Sequence, residues 1–244
     1  MEINFNENVK NSLFVTSLDP VVFTIIDNDL HILLIKRDKE PYNEKLMLPG
    51  GLFNHEYGSF ENGIKEILAK KTNCEINYME QLYTRTGHDI RGLTISISYI
   101  ALIQKTEKLN EKAMWLNMND VLNMPQNNFA FDHLEIIKIG YNRLVNKVNY
   151  SNLPMYMLEN KFTLPDLQKV YENILKVKLD KSSFRKKIID NNMVVKLNEE
   201  KLNGACRPSE LYSATSSNLY NFKTNIKWKI KKNKMDYLSC SFFN

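Results

Sequence analysis

Between positions 46 and 73 the chain reads LMLPGGLFNHEYGSFENGIKEILAKKTN, and no other stretch constrains the fold as strongly. Leu48-Pro49-Gly50-Gly51 breaks regular structure, because proline withholds a backbone donor and glycine lacks the Cβ that restricts the chain. A loop over 52–58 comes next. Ser59 is placed to cap a helix over 60–71, with Ile64, Ile67, Leu68 and Lys71 on one side and Asn73 near its end. An amphipathic helix needs an apolar surface to lie on, so strands are expected on either side of it.

They are present in the sequence. Residues 21–37, VVFTIIDNDLHILLIKR, read as two strands joined by a turn at Asp27-Asn28-Asp29. Residues 75–84 and 93–105 alternate as strands do, and the second is rich in β-branched side chains. A short strand is expected at 113–116, a short helix over 120–124 ending near Pro125, and a longer helix over 132–147 carrying Ile136, Ile137, Ile139 and Leu144. Residues 148–161 lack a period and contain Pro154, which places a linker at 151–161 between a first domain, 1–150, and a second. In the second, Thr163 caps a helix over 164–175 and Asp180 caps another over 181–190. Strands near 193–195 and 211–212, with 196–210 as the tip between them, complete two helices and a hairpin. That is the skeleton of a small winged helix-turn-helix over 162–221, trailed by a basic and aromatic tail, 222–244.

Charge divides along the same line. Residues 1–161 hold 17 Lys/Arg and 20 Asp/Glu, a balance of −3, whereas 162–234 hold 16 and 7, a balance of +9. A basic back half points to a polyanion partner. No apolar run approaches the roughly 20 residues of a bilayer span, and the first residues lack the basic-then-apolar pattern of a secretory signal. Cys74, Cys206 and Cys240 show no metal-ligand or disulfide spacing, and His31, His88 and His133 share none. The expectation is a cytoplasmic chain with no metal and no cofactor, apart from the membrane.

The Gly-Gly break, loop and helix resemble the box of the Nudix hydrolase family, G-x5-E-x7-R-E-U-x-E-E-x-G-U. In that family glutamates at helical spacing hold divalent cations against a diphosphate. Aligning Leu68, Thr72 and Asn73 with the end of the box needs one extra residue in 52–58, and Lys70 and Lys71 then fall on the Glu-Glu pair. Without the insertion, Ala69 and Lys70 replace the pair. Either way the paired acids are gone and lysines stand where a cation would bind, which repels magnesium. Glu56, Glu61 and Glu66 remain nearby for an unusual arrangement. The resemblance implies an α/β (α+β) Nudix fold, with a mixed β-sheet between helices, and no catalytic residue.

A second resemblance covers roughly residues 20–213. The segments 46–52 and His88-Asp89-Ile90-Arg91-Gly92, with the strand Thr94-Ile95-Ser96-Ile97-Ser98-Tyr99 and Phe131-Asp132-His133, resemble the NrtR-like group of Nudix-related transcriptional regulators. His88 and Ile90 depart from that group's R-D-P-R-G. In the back half, FTLPDLQ at 162–168, YENIL at 171–175, LDKSSFRKK at 179–187, Arg207-Pro208 and Leu211-Tyr212 match its winged domain. Membership implies a homodimer that binds double-stranded operator DNA, often as a repressor, and responds to an effector in the Nudix-like domain. Related groups take ADP-ribose or a related nucleotide, or a sugar such as arabinose. The damaged box leans toward a sugar or nucleotide sugar.

Phe184 and Ile188 lie four apart and are expected to face the core, which turns Lys181, Ser182, Ser183, Arg185, Lys186 and Lys187 toward DNA. Lys196, Lys201 and Arg207 fall in the wing, suited to flanking phosphates. Candidate effector ligands are Lys36 and Arg37 at a strand end, Phe53 and His55 after the glycine turn, and Arg85, Asp89 and Arg91. The expected function is a ligand-responsive DNA-binding regulator with a non-catalytic Nudix-like sensor for a sugar or ADP-ribose-like metabolite. The alternative is a hydrolase of a nucleoside diphosphate derivative such as ADP-ribose.

Overall fold

The computed structural model describes residues 13–27, 29–89, 91–104, 108–201, 208–216, 218–222 and 226–230. The chain divides into two compact units, 1–144 and 145–244.

The first unit is built on a seven-stranded sheet among the described residues. Strand β1 (Val15–Ile26) lies at its centre, antiparallel to β2 (Asp29–Lys36) and parallel to β6 (Gly92–Leu102). Beyond β6 runs β5 (Tyr78–Asp89), and β2 also pairs with β3 (Leu46–Met47) and β7 (Ala113–Asn117). The short β4 (Gly51–Leu52) pairs with the start of β1. One parallel pair within an otherwise antiparallel sheet is the mixed sheet that the Nudix resemblance implies. Helix α1 (Phe60–Thr72) begins at the expected cap: the Ser59 hydroxyl accepts the Asn62 N–H, and Asn73 closes the helix in the left-handed conformation at φ 60°. Its Ile64 and Ile67 pack on Leu18, Ile97 and Tyr99, while Leu68 packs with Val22 and Leu33. Helices α2 (Met118–Asn123) and α3 (His133–Lys147) come after β7, and the boundary between the units falls within α3.

The glycine break has a steric cause. A Cβ on Gly50 would lie 2.4 Å from the Leu18 carbonyl oxygen and 2.4 Å from Asp19 Oδ1. The Leu18 carbonyl cannot retreat, because it is backbone of the central strand, and the Asp19 carboxylate is held by Ser17 and Ser96. Gly50→Ala is expected to destabilise the first unit by about 3 kcal/mol through forced backbone displacement. Urea unfolding would register this, and an unchanged midpoint would contradict the close approach.

In the second unit a capping box joins Thr163 and Asp166 at the start of α4 (Leu164–Leu175). The Asp180 carboxylate accepts the Ser183 N–H at the start of α5 (Lys181–Asp190). Strands β8 (Val194–Lys201) and β9 (Ser209–Ala214) form the hairpin. Leu167, Val170, Tyr171, Ile174, Phe184, Ile188 and Met193 make the core. The stretch 151–161, which from sequence reads as a linker, holds a 3-10 turn, Leu153–Met157, in which Leu153, Pro154, Met155 and Met157 are buried. The tail carries order as far as residue 230 among the described positions.

Candidate functional site

Strand alternation builds a cavity on one face of the first unit's sheet. Side chains two apart share a face, so Leu18, Ile95 and Ile97 turn toward α1 while Ser17, Asp19, Thr94 and Ser96 turn the other way. From β5, Arg85, Gly87 and Asp89 join them by the same rule. The resulting cavity is about 1050 Å³, at the upper end of small-molecule sites. Eight Lys/Arg and five Asp/Glu line it, so its surface favours anions.

At its floor lies a buried carboxylate. Asp19 accepts hydrogen bonds from Ser17 Oγ at 2.9 Å and Ser96 Oγ at 2.6 Å. Lys71, on the inner side of α1, donates through Nζ to the Gly50 carbonyl. Burial pushes the pKa of Lys71 below its ordinary value, and the opposing attraction of Asp19 favours the charged ammonium. With one extra residue in 52–58, the alignment that sets Asn73 at the left-handed end of the helix, this is the position where the Nudix resemblance would place a metal-binding glutamate. The residues present do not fit a divalent cation, since an ammonium stands where carboxylate oxygens would have to be. Glu56, Glu61 and Glu66 are absent from the cavity lining. Glu61 instead accepts from Tyr99 Oη at 2.8 Å, and Glu56 from Asn54 Nδ2 at 2.7 Å. The hydroxyl of Tyr99 is pushed up to about 12 by burial and by that bond.

One wall is aromatic and cationic together. The guanidinium groups of Arg37 and Arg91 lie 5.2 and 5.0 Å from the centroid of the Phe131 ring, and Tyr42 packs on the same ring at 4.9 Å. Arg91 is held in place by a bidentate pair with Asp89, whose carboxyl it keeps below the ordinary range chiefly through that hydrogen bond. Arg85 pairs with Asp132 and with Glu135 at 3.0 Å. The structure therefore brings Lys36, Arg37, Arg85, Asp89 and Arg91 to one cavity. Phe53 and His55 are placed outside its lining. The Phe53 ring packs edge-on against Phe60 and Tyr57, and its N–H bonds the Thr16 carbonyl, so it belongs to the α1 side. Asp19, Tyr42 and Phe131, whose chain positions are set apart from the glycine turn, join the sequence-derived candidates in the cavity lining.

His133 links this floor to the Leu48-Pro49 segment. The Leu48 N–H donates to Nδ1 at 2.9 Å, so the ring is neutral with its proton on Nε2, 3.9 Å from Asp19 Oδ1. Burial holds its pKa below the ordinary 6.5, against the pull of Asp19. The unfolded chain thus takes up this proton first as pH falls. The stability contribution is complete above about pH 6.5 and declines below it, by at most about 1.4 kcal/mol per pH unit, until the folded imidazole also titrates. Unfolding measured at descending pH is expected to show this decline, and His133→Gln to flatten it. A decline of the same slope in the variant would assign it to another group.

In the second unit, Phe184 and Ile188 are buried and Lys181, Ser182, Arg185 and Lys186 are exposed, as the four-residue spacing requires. Ser183 commits its backbone N–H to the Asp180 cap, and the Lys187 ammonium sits 5.7 Å over the Trp228 ring. On β9, Glu210 accepts from Lys196 at 2.5 Å, from Arg185 at 3.4 Å and from Tyr212 Oη at 2.9 Å. Lys201 is exposed at the end of β8, and Arg207 lies outside the described residues. The result is a helix whose N-terminal half presents exposed cations and hydroxyls, flanked by a strand pair carrying further lysines.

Fold and surfaces together define a class: a Nudix-like domain with an anion-favouring cavity, joined to a winged helix. The chain belongs to the NrtR family of Nudix-related transcriptional regulators. Residues 154–214 match the model of the NrtR DNA-binding winged helix domain. The chain is 31% identical over 204 residues to the ADPR responsive transcriptional repressor NtrR of Acinetobacter baylyi, covering 80% of each chain. It superposes on Shewanella oneidensis NrtR, solved in complex with a 27mer DNA, with a TM-score of 0.76 at 31% identity over 87% of this chain and 99% of the other. The NUDIX domain of the same protein, solved with ADP ribose, matches with a TM-score of 0.51 at 31% identity, covering 58% of this chain and 94% of that one. An ADP-ribose pyrophosphatase of Methanocaldococcus jannaschii is 33% identical over 118 residues, 47% of this chain and 68% of its own.

Proposed function

We propose that the chain is a transcriptional repressor that binds operator DNA through α5 and the β8–β9 hairpin and responds to ADP-ribose held in the first unit. One observation carries this reading: the basic cavity of about 1050 Å³ has a lysine ammonium where a hydrolase would seat its metal. A pocket of this size and charge suits a nucleoside diphosphate sugar better than a neutral pentose. The diphosphate would meet Lys71, Lys36 and Arg37, and the base would stack on the Phe131 and Tyr42 wall. Asp89 would act mainly by fixing Arg91, and Arg85 by closing the rim with Asp132. The DNA contacts would come from Lys181, Ser182, Arg185 and Lys186 first, with Lys196 and Lys201 on flanking phosphates. A cytoplasmic homodimer would present two such helices to two half-sites.

A mobility shift with DNA from upstream of the chain's own transcription unit tests this. ADP-ribose is expected to change the retained fraction and arabinose to leave it unchanged; a shift indifferent to ADP-ribose would sink the effector assignment. The pyrophosphatase relative makes hydrolysis the second reading. Incubation with ADP-ribose and magnesium is expected to release no AMP, because no paired carboxylates face the cavity from α1.

A further inference from the structure

The family match ends at residue 214, yet the chain keeps an ordered course beyond it. The Phe222 N–H bonds the Tyr150 carbonyl at 2.7 Å, and the Ile226 N–H bonds the Asn149 carbonyl at 2.7 Å. The indole of Trp228 then packs against Tyr171 at 4.9 Å and Phe184 at 5.5 Å, two rings of the winged-domain core. One step on, the Lys229 carbonyl accepts the Asp180 N–H at 2.8 Å, and Ile230 bridges to Leu179 in antiparallel fashion. Asp180 is the cap of α5. The extension is therefore fastened to this helix at its middle, through Phe184 and Lys187, and at its N-terminus.

With Trp228 turned inward, its neighbours Lys227 and Lys229 are exposed. The extension is strongly basic: from residue 215 to the end there are six lysines and one acid, Asp236. A helix that enters the major groove by its N-terminus brings whatever is bonded to its cap close to the sugar-phosphate rails. We propose that residues 226–230 are a second DNA-contacting element, anchored by Trp228, whose Lys227 and Lys229 grip the phosphate backbone beside the groove that α5 enters. Stacking Lys187 on the indole ring fits this arrangement, because it commits one cation of α5 to holding two others in place.

The inference rests on the DNA-binding reading, and the test separates the two. Binding of a fluorescent mixed-sequence duplex is measured by anisotropy across a salt series, which needs no knowledge of the operator. Lys227→Ala with Lys229→Ala is expected to reduce the slope of log affinity against log salt by about 1.8 per protomer, two phosphates' worth. Its melting temperature should match the wild type, since both side chains are exposed. Lys186→Ala is the comparison, expected to reduce the slope by about 0.9. If Lys186→Ala lowers the slope and the tail variant does not, the extension is no DNA contact. If the wild type itself fails to bind, the DNA-binding reading falls and takes this inference with it.

Discussion

Arg185→Ala combined with Lys186→Ala is expected to abolish measurable operator retention while ADP-ribose binding and the melting temperature stay as in the wild type. Arg185 and Lys186 are exposed on α5, on the side opposite the buried Phe184 and Ile188. Arginine takes a guanine edge through two parallel hydrogen bonds, and a contact of that kind discriminates by about 1–3 kcal/mol. Losing it together with a phosphate contact is expected to weaken specific binding by on the order of a hundredfold or more. The folded state loses little, because the ion pair between Arg185 and Glu210 is exposed and such pairs contribute weakly. A variant that still retained operator DNA at wild-type protein concentration would move the reading surface off α5.

The second large effect belongs to Lys71. Lys71→Glu is expected to lower ADP-ribose affinity by more than about a hundredfold in the presence of a chelator, since a unit charge near 5 Å in a partly buried site is worth about 3 kcal/mol. Reversal of sign doubles the change. With Asp19 close by, the new carboxylate would create an acidic pair, so magnesium is expected to restore part of the lost affinity. The wild type, in contrast, is expected to bind equally well with chelator or magnesium. Lys71→Met keeps the buried stem and removes only the charge, and an affinity unchanged in both variants would remove Lys71 from the site. Calorimetric titration of ADP-ribose reads all of these.

Local signals made most of the scaffold legible from sequence. Ser59 and Asn73 bounded α1, Thr163 and Asp180 opened α4 and α5, and the four-residue spacing of Phe184 and Ile188 set which face of α5 is free. The cavity was legible only in part. The strand segment with Arg85, Asp89 and Arg91 leads to the cavity lining, whereas Phe53 and His55 are near it only along the chain, beside the glycine turn. Nearness along the chain misleads there, because the turn pairs β4 with β1 and sends Phe53 to the helix side. Asp19 was hidden by its neighbour Pro20, which reads as a break; yet β1 continues through it, with Asp19 and Pro20 opposite Ser98 and Tyr99 of β6. That pairing spans most of the first unit and leaves no local trace. Trp228 was hidden for a similar reason, since a basic aromatic tail looks alike whether it is loose or packed.

On the proposed DNA surface, Glu210 would shape how the protein meets its operator. Its carboxylate accepts from both Lys196 and Arg185, so it would act as a resident decoy phosphate on the proposed reading surface. A duplex engaging Arg185 and Lys196 would have to trade places with an anion the protein already holds, whereas Lys181 and Lys186 stand exposed beside them. Such an exchange releases fewer counterions than the number of basic residues suggests, and the salt dependence should be correspondingly shallower. It would also favour sequences whose bases engage Arg185 directly over DNA that offers charge alone. In that sense one acid on the wing would act as a threshold, raising the standard a binding site must meet.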